Sequence, residues 1–394
     1  MSKKMTRREM LQLSGLVAAG SFLAACGGGS KDEYVVDEAA LENASGNVVV
    51  MHFLHEFTED HVNGVMAENP DITVEVADAE DPTRFYAMLA AGTPPDLYRS
   101  QAPDFPQFLA RDLLFNLQPF VDVSDTINLD DLAPANNAYK GNSPTEVGEG
   151  PLYGVCKDFS PDQTLFINQH LFEEAGIEVP GDDNADRLSY VEVNDLAKQL
   201  TKFDGDRLEQ YGFGVEWGWI GRLVHNMVIE TGTSLYSDDF KQAILSEGDA
   251  KKGFKYFYDM AAEKTTHSTI NPSPNGWMGN DFTAGILGFC QYGYWFSAMA
   301  AADTSTPKML PAASWAGEDR DPTVTATGMV MLKATQAPEA AWKVFEYYNV
   351  GAPALERAGS GWGVPAFKSM YDLMPQETDF QKQAFKVVMQ EINL

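Results

Sequence analysis

The tryptophans are the residues whose type and spacing first point to chemistry. All seven lie at or after residue 217. If a strand runs from Tyr211 to Trp219, Trp217 and Trp219 point to the same face of it, and two indoles on one face form a flat platform. Glycine-flanked aromatic rings are typical of turns and element ends, where a ring can face a cleft. Six tryptophans stand within two residues of a glycine: Trp217, Trp219, Trp277, Trp295, Trp315 and Trp362.

A platform of this kind fits a sugar ring. The C–H faces of a pyranose pack on an aromatic ring, while carboxylates, amides and guanidinium groups bind its hydroxyls. For any single tryptophan, burial in a hydrophobic core is the alternative. Trp342 lies within an amphipathic helical pattern and is predicted to be such a core residue. For the set that includes Trp295 and Trp362, we favour binding over core packing.

Motifs of the common enzyme classes are absent from the sequence. There is no Gly-x-Ser-x-Gly elbow, no P-loop, and no Gly-x-Gly-x-x-Gly that opens a helix after a strand. Among the 57 acidic residues, no pair stands out by position as suited to glycoside hydrolysis. The six histidines are scattered without the spacing of a zinc site. The sequence therefore predicts no catalytic residue, no metal site and no cofactor.

The charge balance restricts the class of partner. The formal net charge is −29, and removal of residues 1–25 would make the remainder more acidic still. Such a field repels nucleic acid, anionic lipid headgroups and phosphorylated ligands. We therefore expect no nucleic-acid partner and favour a neutral or cationic ligand.

The N-terminal segment has the layout of an export signal. Four basic residues precede an apolar run over residues 11–25, and Cys26 follows at once, before three glycines. About 15 apolar residues are too few for a helix that crosses a bilayer, which needs about 20. We predict that residues 1–25 are a lipoprotein signal peptide and that Cys26 carries the lipid. Residues 6–12 resemble a twin-arginine signal, and general export is the alternative.

The segment after the signal and the two remaining cysteines each lead to a prediction. Residues 26–46 are rich in Gly, Ser, Asp and Glu, which predicts a flexible tether between lipid and domain. The remaining cysteines, Cys156 and Cys290, could form a disulfide or could be two separate small buried hydrophobes.

The rest of the chain alternates between two kinds of pattern. Apolar or β-branched runs alternate with helical patterns from Val48 onward, which favours an α/β layered sheet. About 350 residues after leader and tether are long for one core and suggest two domains. Pro82 and Gly92 mark the start and end of one helix, and Ser189 with Glu192 forms a capping box. Predicted strands cover 48–53, 72–77 and 97–98, and predicted helices cover 59–68, 82–91, 169–175, 189–201, 249–263, 338–348 and 380–392.

Several segments together resemble the carbohydrate-binding extracellular lipoproteins of ABC importers, the maltodextrin-binding-protein-like family. The most specific stretch is 153–158 followed by 165–177, which resembles the hinge strand of that family and the helix after it. The likeness spans nearly the whole mature chain. The other matching segments are 90–97, 189–201, 282–295, 328–332, 341–347 and 361–365.

The resemblance implies an α/β, two-lobed periplasmic-binding-protein-like (type II) fold with a hinge and an interlobe cleft. One lobe would comprise residues 47–155 and 309–360, and the other residues 157–308 and 361–394. The implied function is to bind an extracellular mono- or oligosaccharide in the cleft and deliver it to the permease subunits of a membrane ABC transporter. The protein would be exported and held on the outer face of the cytoplasmic membrane through its lipid anchor only.

The same resemblance implies the site residues. Trp295 is the principal stacking ring, Trp217, Trp219 and Trp362 are secondary rings, and Tyr294 lies beside them. His55, Glu56 and Asp158 follow predicted strands, at the carboxyl ends where open α/β sheets bind ligands. For each polar candidate, a solvated loop position is the alternative. The polar candidates are His55, Glu56, Ser100, Asp104 and Asp158.

The sequence departs from the family pattern at three points. Cys156 stands where the family usually has proline, and Tyr294 is a bulky residue in the middle of the Gly-x-Trp turn. The chain ends about 30 residues after Pro365, earlier than family members generally do, so we expect less of a tail on the second lobe. The short tail leaves a surface glycan-capturing, lectin-like lipoprotein without a transporter partner as the alternative function. A glycoside hydrolase or lyase is a third.

Overall fold

The computed structural model describes residues 34–161, 163–237, 239, 241–301, 305–315 and 324–392. The predicted signal peptide and Cys26 lie outside these described residues. Residues 37–394 form one compact unit, and residues 34–36, the described part of the unit before it, carry no helix or strand.

Strands and helices alternate through most of the chain, as the sequence predicted. The strands are β1 (Gly46–His52), β2 (Ile72–Asp78), β3 (Leu97–Gln101), β4 (Lys140–Ser143), β5 (Glu146–Leu152), β6 (Gly154–Pro161), β7 (Thr164–Asn168), β8 (Lys202–Asp204), β9 (Arg207–Gly214), β10 (Leu287–Tyr292), β11 (Pro307–Leu310), β12 (Val324–Met331) and β13 (Val364–Pro365). The α-helices are α1 (Glu38–Glu42), α2 (Glu59–Glu68), α3 (Pro82–Ala91), α4 (Phe105–Ala110), α5 (Gln118–Val121), α6 (Gln169–Ala175), α7 (Tyr190–Leu200), α8 (Ile220–Ile229), α9 (Gly248–Ala262), α10 (Met278–Thr283), α11 (Ser297–Ala300), α12 (Pro338–Val350), α13 (Ala352–Ser360) and α14 (Asp379–Ile392).

The predicted helix ends are confirmed. Gly92 and Gly176 end α3 and α6 in the left-handed conformation, with φ of 74° and 67°, where a side chain would be strained. Ser189 and Glu192 open α7 as a reciprocal capping box: the Ser189 backbone N–H donates to Glu192 Oε2 at 2.7 Å, and the Glu192 N–H donates to Ser189 Oγ at 3.2 Å.

A short helix replaces part of the predicted tether. Asp37 caps α1, because its Oδ1 accepts hydrogen bonds from the backbone N–H groups of Ala39 and Ala40 at 3.0 and 3.3 Å. This helix packs against α12, and β1 begins at Gly46. The prediction of a flexible tether is therefore wrong for residues 37–46, because a local cap and a tertiary contact order a segment whose composition is polar.

The first sheet is mixed and has the order β13-β6-β12-β3-β1-β2. Strands β1, β2 and β3 run parallel, whereas β12 is antiparallel to both of its neighbours, β3 and β6. Strand β6 is buried along its whole length, which is expected of a strand covered on both faces. The carboxyl ends of β1 and β3 therefore meet at one edge of this sheet. We call the elements around it the first lobe.

The second sheet has the order β11-β7-β10-β9-β8. Strands β9 and β10 are parallel, and β7 is antiparallel to β10 and β11. Its core is formed by apolar residues of the central strands and of α7, α8 and α9. We call these elements the second lobe.

The described part of the chain passes between the two sheets at three places: from β6 to β7, from β11 to β12, and from β13 to α14, which packs against β11. These pairings change three predicted lobe boundaries. Strand β6 stays in the first sheet as far as Pro161, β11 pairs in the second sheet although Met309 was assigned to the first lobe, and β13 pairs in the first sheet. Backbone pairing decides to which lobe a strand belongs. A resemblance in sequence does not show this pairing.

The predicted strand over residues 211–219 is wrong in its second half. Strand β9 ends at Gly214, and Trp217–Trp219 form a 3₁₀ turn in which the Trp219 N–H donates to the Glu216 carbonyl at 2.9 Å. The two indoles therefore do not share a strand face.

The C-terminal helix is firmly packed. The buried Glu391 on α14 accepts a hydrogen bond from the Ala312 N–H at 2.8 Å and another from the Thr164 hydroxyl at 2.5 Å. Gln383 exchanges two hydrogen bonds with the backbone of Met309 on β11. Within the described residues, the tail is thus an integral part of the second lobe, despite its predicted shortness.

Cys156 and Cys290 are both fully buried and unpaired. The sequence left two alternatives, a disulfide and two separate small buried residues, and the second is confirmed. Burial raises the pKa of both thiols, so they are inert at neutral pH.

Candidate functional site

An aromatic cluster lies at the carboxyl end of β10. Trp295 sits in the 3₁₀ turn that follows this strand, half-buried, with its ring centroid 4.9 Å from that of Tyr292 and 6.3 Å from that of Trp219. Trp277 lies nearly parallel to Trp295, with an interplanar angle of 15° at 6.4 Å. Because each ring is held by its neighbours, the cluster presents a fixed apolar wall.

Trp362 brings this wall into contact with the first lobe. It lies between α13 and β13, and its ring centroid is 6.0 Å from that of Trp295. The preceding Gly361 has φ of 75°, which turns the chain so that Trp362 can face the other lobe. The Trp362 indole N–H also donates to Glu56 Oε1 at 3.3 Å. One side chain thus joins the aromatic wall to the polar groups of the first sheet.

Glu56 is the centre of a buried charge cluster. Arg99 on β3 donates to both of its carboxylate oxygens, at 2.9 and 3.3 Å, and Lys157 Nζ lies 3.4 Å from Oε1. Burial alone would raise the pKa of Glu56, but the charges of Lys157 and Arg99 outweigh it and hold this pKa well below its usual range. Glu56 is therefore ionised at neutral pH.

Asp158 extends the cluster towards α13. Lys157 contacts the Asp158 carboxylate, and Arg357 Nε lies 3.8 Å from its Oδ2. His52 Nδ1 lies 3.6 Å from Glu56 Oε2, but complete burial lowers the pKa of His52 well below its usual range and keeps the ring neutral. The cluster thus places Glu56 and Asp158, two sequence-predicted residues, in one ion network.

A cavity of about 350 Å³ opens beside this cluster, and we call it the first-lobe cavity. Its volume lies within the range of small-molecule sites. Arg357, Glu56 and Trp362 form its inner side, next to the aromatic wall. The remaining lining residues are His55, Thr58, His61, Pro353, Glu356 and Ser360.

A second cavity of about 600 Å³ lies in the second lobe, and Trp277 of the aromatic wall is one of its lining residues. Trp217 and Trp277 line it together with apolar residues of α9. The Trp217 indole N–H donates to the His267 carbonyl at 2.7 Å. The buried Asp281 holds this loop, since it contacts His267 Nε2 at 2.7 Å and accepts from the Asn275 side chain at 2.8 Å.

The lobes also meet through Arg222 on α8. Its guanidinium lies 4.7 Å from the centroid of Trp219 and donates to the Thr325 hydroxyl of β12 at 3.4 Å. Asp104 is half-buried on the first lobe; burial raises its pKa, and the charge of Arg222 opposes that shift. Its carboxylate accepts a hydrogen bond from Gln107 Nε2 at 3.2 Å, and this bond also opposes the shift.

The other predicted residues divide into two groups. His55 is exposed at the rim, where it stacks on Phe53 with centroids 5.5 Å apart and meets the edge of Trp362 at 6.0 Å. Ser100 and Tyr294 are fully buried, and neither is among the residues that line the two cavities. The Ser100 hydroxyl donates to the Gln101 carbonyl at 3.2 Å, and Tyr294 is packed inside the second lobe.

Sequence reasoning missed five residues of this region. Trp277 was recognised as a glycine-flanked ring but was not assigned to the site, and Lys157 could have been found as a charge inside an otherwise apolar strand pattern. The others come together only through the fold, because Arg99 and Arg357 are far from Glu56 in sequence. The missed residues are Trp277, Tyr292, Arg99, Lys157 and Arg357.

Residues 54–349 match the family model for bacterial extracellular solute-binding proteins. The chain belongs to this family. Its members bind solutes and are not enzymes. Among curated proteins, none matches this chain.

Solved structures of solute-binding proteins share the fold. An ABC substrate-binding protein from Listeria monocytogenes in complex with cycloalternan is 18% identical, with 88% of this chain and 87% of that chain covered and a TM-score of 0.73. Maltose-bound MalE3 of T. maritima is 16% identical, with 87% and 86% covered and a TM-score of 0.68. A solute-binding protein from Agrobacterium radiobacter in complex with ribitol is 18% identical, with 88% and 87% covered and a TM-score of 0.69.

These similarities confirm the predicted fold class, an α/β, two-lobed type II periplasmic-binding-protein fold. Within the described residues of this solute-binding protein, no helix has the length and apolar character that a membrane span requires. The same residues contain no group of three or more His, Cys, Asp or Glu side chains placed to hold a metal ion.

Proposed function

We propose that this solute-binding protein binds an extracellular carbohydrate between its two lobes and delivers it to a membrane ABC transporter. The observation that carries the proposal is the contact of Trp295 with Trp362, where an aromatic wall from one lobe meets a polar cavity of the other. A sugar needs both features, an apolar surface for its C–H faces and polar groups for its hydroxyls.

The geometry divides these tasks between the lobes. Trp295 and Trp219 offer indole faces from the second lobe, and Trp362 offers one from the first. Glu56 accepts hydrogen bonds and Arg357 donates them, and both line the first-lobe cavity. We propose the exposed His55 and the half-buried Asp104 as further hydroxyl partners. We propose Trp217 and Asp158 as supporting residues of the same site.

The similar structures support a sugar or sugar alcohol as ligand. Their bound molecules are cycloalternan, maltose and ribitol, which differ in size but share the polyol chemistry. Because those proteins are less than a fifth identical to this chain, they support the ligand class and do not name the sugar.

We further propose that the protein is a lipoprotein. Residues 1–25 would direct export and Cys26 would carry the lipid that keeps the protein beside its permease, which raises the local concentration of loaded binder at the transporter. Closure of the lobes around ligand would create the surface that the permease recognises. Mass spectrometry of the mature N-terminal peptide tests the lipid, and co-purification with permease subunits tests the partner.

Thermal unfolding in the presence of a sugar panel tests ligand binding. A ligand that binds only the folded state raises the melting temperature, by an amount that grows with its concentration relative to Kd. We expect a shift with at least one sugar or oligosaccharide, and recovery of that sugar unchanged after incubation. No shift with any sugar, together with a shift on addition of peptides or polyamines, would overturn the proposed ligand class, and release of a cleaved product would overturn binding without turnover.

A further inference from the structure

The charge cluster of the first lobe is unbalanced. In the described part of the chain it contains three cations, Arg99, Lys157 and Arg357, and two carboxylates, Glu56 and Asp158. The side chains are nearly buried, with exposures between 1% for Lys157 and 13% for Asp158. One positive charge is thus in excess at a site with little access to water.

Neighbouring titratable groups do not remove this excess. His52 adds no negative charge, and its complete burial keeps it neutral. Glu356 lines the same cavity, but its side chain is 67% exposed and lies 2.8 Å from His61 Nε2. Its carboxylate is therefore solvent-exposed and already in contact with a histidine. Asp104 accepts a hydrogen bond from Gln107 Nε2 at 3.2 Å and is not among the residues that line this cavity.

An unpaired buried charge is unfavourable, because a low-dielectric site lacks the water that would stabilise it. The excess can be assigned to one residue. Glu56 is held by Arg99 and Lys157, and Lys157 also contacts Asp158. Arg357 has the longest pairing, 3.8 Å from Nε to Asp158 Oδ2, and among the described residues its Nη1 donates to the Pro353 carbonyl at 3.4 Å. Arg357 is the cation with capacity for a further anion.

The position of Arg357 also suits the binding of an anionic group. Its guanidinium lies 4.9 Å from the centroid of the buried Tyr348 ring, which fixes its plane, and it lines the first-lobe cavity beside Trp362. A planar guanidinium matches a carboxylate with two parallel hydrogen bonds. A sugar that packs on Trp362 would thus have Arg357 within reach of a substituent on its ring.

We propose that the ligand carries one carboxylate, as a uronate does, and that Arg357 binds this carboxylate in the first-lobe cavity. The inference rests on the proposed sugar binding and narrows its ligand class. A single excess positive charge matches a monoanion, and the net charge of −29 opposes a dianion such as a phosphate ester more strongly. It replaces the expectation, drawn from net charge alone, that the ligand is neutral or cationic.

Calorimetry with matched ligands tests this inference on the intact chain. Each pair consists of a hexose and its uronate, for example glucose with glucuronate and galactose with galacturonate, and hexose 6-phosphates form a third arm. We expect at least one uronate to bind about tenfold or more tightly than its hexose, since hydrogen bonds to charged groups are worth that factor. Equal or tighter binding of the neutral partners would overturn the inference while leaving sugar binding intact. Tighter binding of the phosphates would overturn the carboxylate assignment.

Variants identify the residue. Arg357→Gln should abolish the preference for uronate, whereas Arg84→Gln, which removes the same charge from an exposed position on α3, should retain it. Loss of the preference in both variants would mean that only the net charge matters. If Arg357→Gln does not fold, the wild-type ligand pairs and the Arg357→Lys variant, which keeps the charge and loses the planar fork, still decide the question. Binding of neither neutral nor acidic sugars would instead overturn the proposed function.

Discussion

At the scale of single residues, two tryptophans of similar size have different surroundings. Trp295 is half-buried and touches rings from both lobes. Trp342 is 1% exposed and stacks on Phe120 at 5.1 Å inside the first lobe. The predicted core position of Trp342 is confirmed by its burial, and Trp295, two residues after Gly293, stays a predicted binding residue.

Trp295→Ala and Trp342→Ala should therefore fail in different ways. We expect Trp295→Ala to weaken sugar binding by about tenfold or more, since central aromatic residues dominate binding energy. Trp342→Ala should lower the free energy of unfolding by about 3–5 kcal/mol and leave the affinity of the folded protein near that of the wild type. Calorimetry and denaturant unfolding measure both quantities. Losses of affinity and stability in the same proportion for the two variants would show that Trp295 is only a core residue.

Glu56 predicts a dependence of stability on pH. Its folded pKa lies well below its usual value, so its ionised form contributes stability that is fully present above the unfolded pKa of about 4.5 and is lost as pH falls towards the folded value. Glu56→Gln should lower the free energy of unfolding by about 3–5 kcal/mol at neutral pH, because it leaves buried cations unpaired. Its stability should then fall less steeply than that of the wild type between about pH 5 and pH 3.

Urea unfolding at a series of pH values measures this difference. Glu59→Gln is a matched control, because Glu59 is exposed in the first turn of α2 and lies outside the cluster. The control should follow the pH profile of the wild type. Parallel profiles for the wild type and Glu56→Gln would contradict the role of Glu56.

At the scale of elements, the sequence predicted helix boundaries, which depend on local chemistry, but it did not predict tertiary pairing. The boundaries of α2 and α3 match the predicted 59–68 and 82–91, because caps, proline and glycine act within a few residues. The turn at Trp217–Trp219 was missed because β9 ends where its pairing with β10 ends, near Gly214. The ion cluster was missed for a similar reason, since Glu56 meets an arginine 43 residues away in sequence.

A close helix–strand contact gives a test at this scale. A Cβ atom on Gly212 of β9 would lie 1.9 Å from the Ala197 carbonyl oxygen of α7, so the backbones would have to move apart. We expect Gly212→Ala to lower the free energy of unfolding by about 1–3 kcal/mol or more. Gly221→Ala is the control: it lies in α8 with open space around the new methyl, and should be neutral or stabilising by up to about 1 kcal/mol. Equal stabilities would contradict the close approach.

At the scale of the whole molecule, the rings of Trp295 and Trp362 must separate before a sugar can enter between them. Their centroids are 6.0 Å apart, which is ring contact and leaves no space for a pyranose. Since the two rings belong to different lobes, ligand entry requires the lobes to move relative to each other. Hinge closure is a common way in which two lobes move around a ligand.

Tryptophan fluorescence should report this movement. Addition of a bound sugar should give a saturable change in emission in the wild type and in Trp315→Phe, because Trp315 is buried in the second-lobe core. Trp362→Phe should show a smaller change. A full change in Trp362→Phe, together with its loss in Trp315→Phe, would place the ligand elsewhere.

The position of β12 also determines the order in which the protein can be completed during synthesis. This strand lies between β3 and β6, yet it follows every strand of the second sheet in the chain. Until residue 331 has left the ribosome, β3 and β6 face each other across an unfilled gap, and both have unpaired backbone groups there. The sheet that begins first is thus completed only after every strand of the second sheet has been made, so the nascent chain exposes open strand edges to aggregation until late in synthesis.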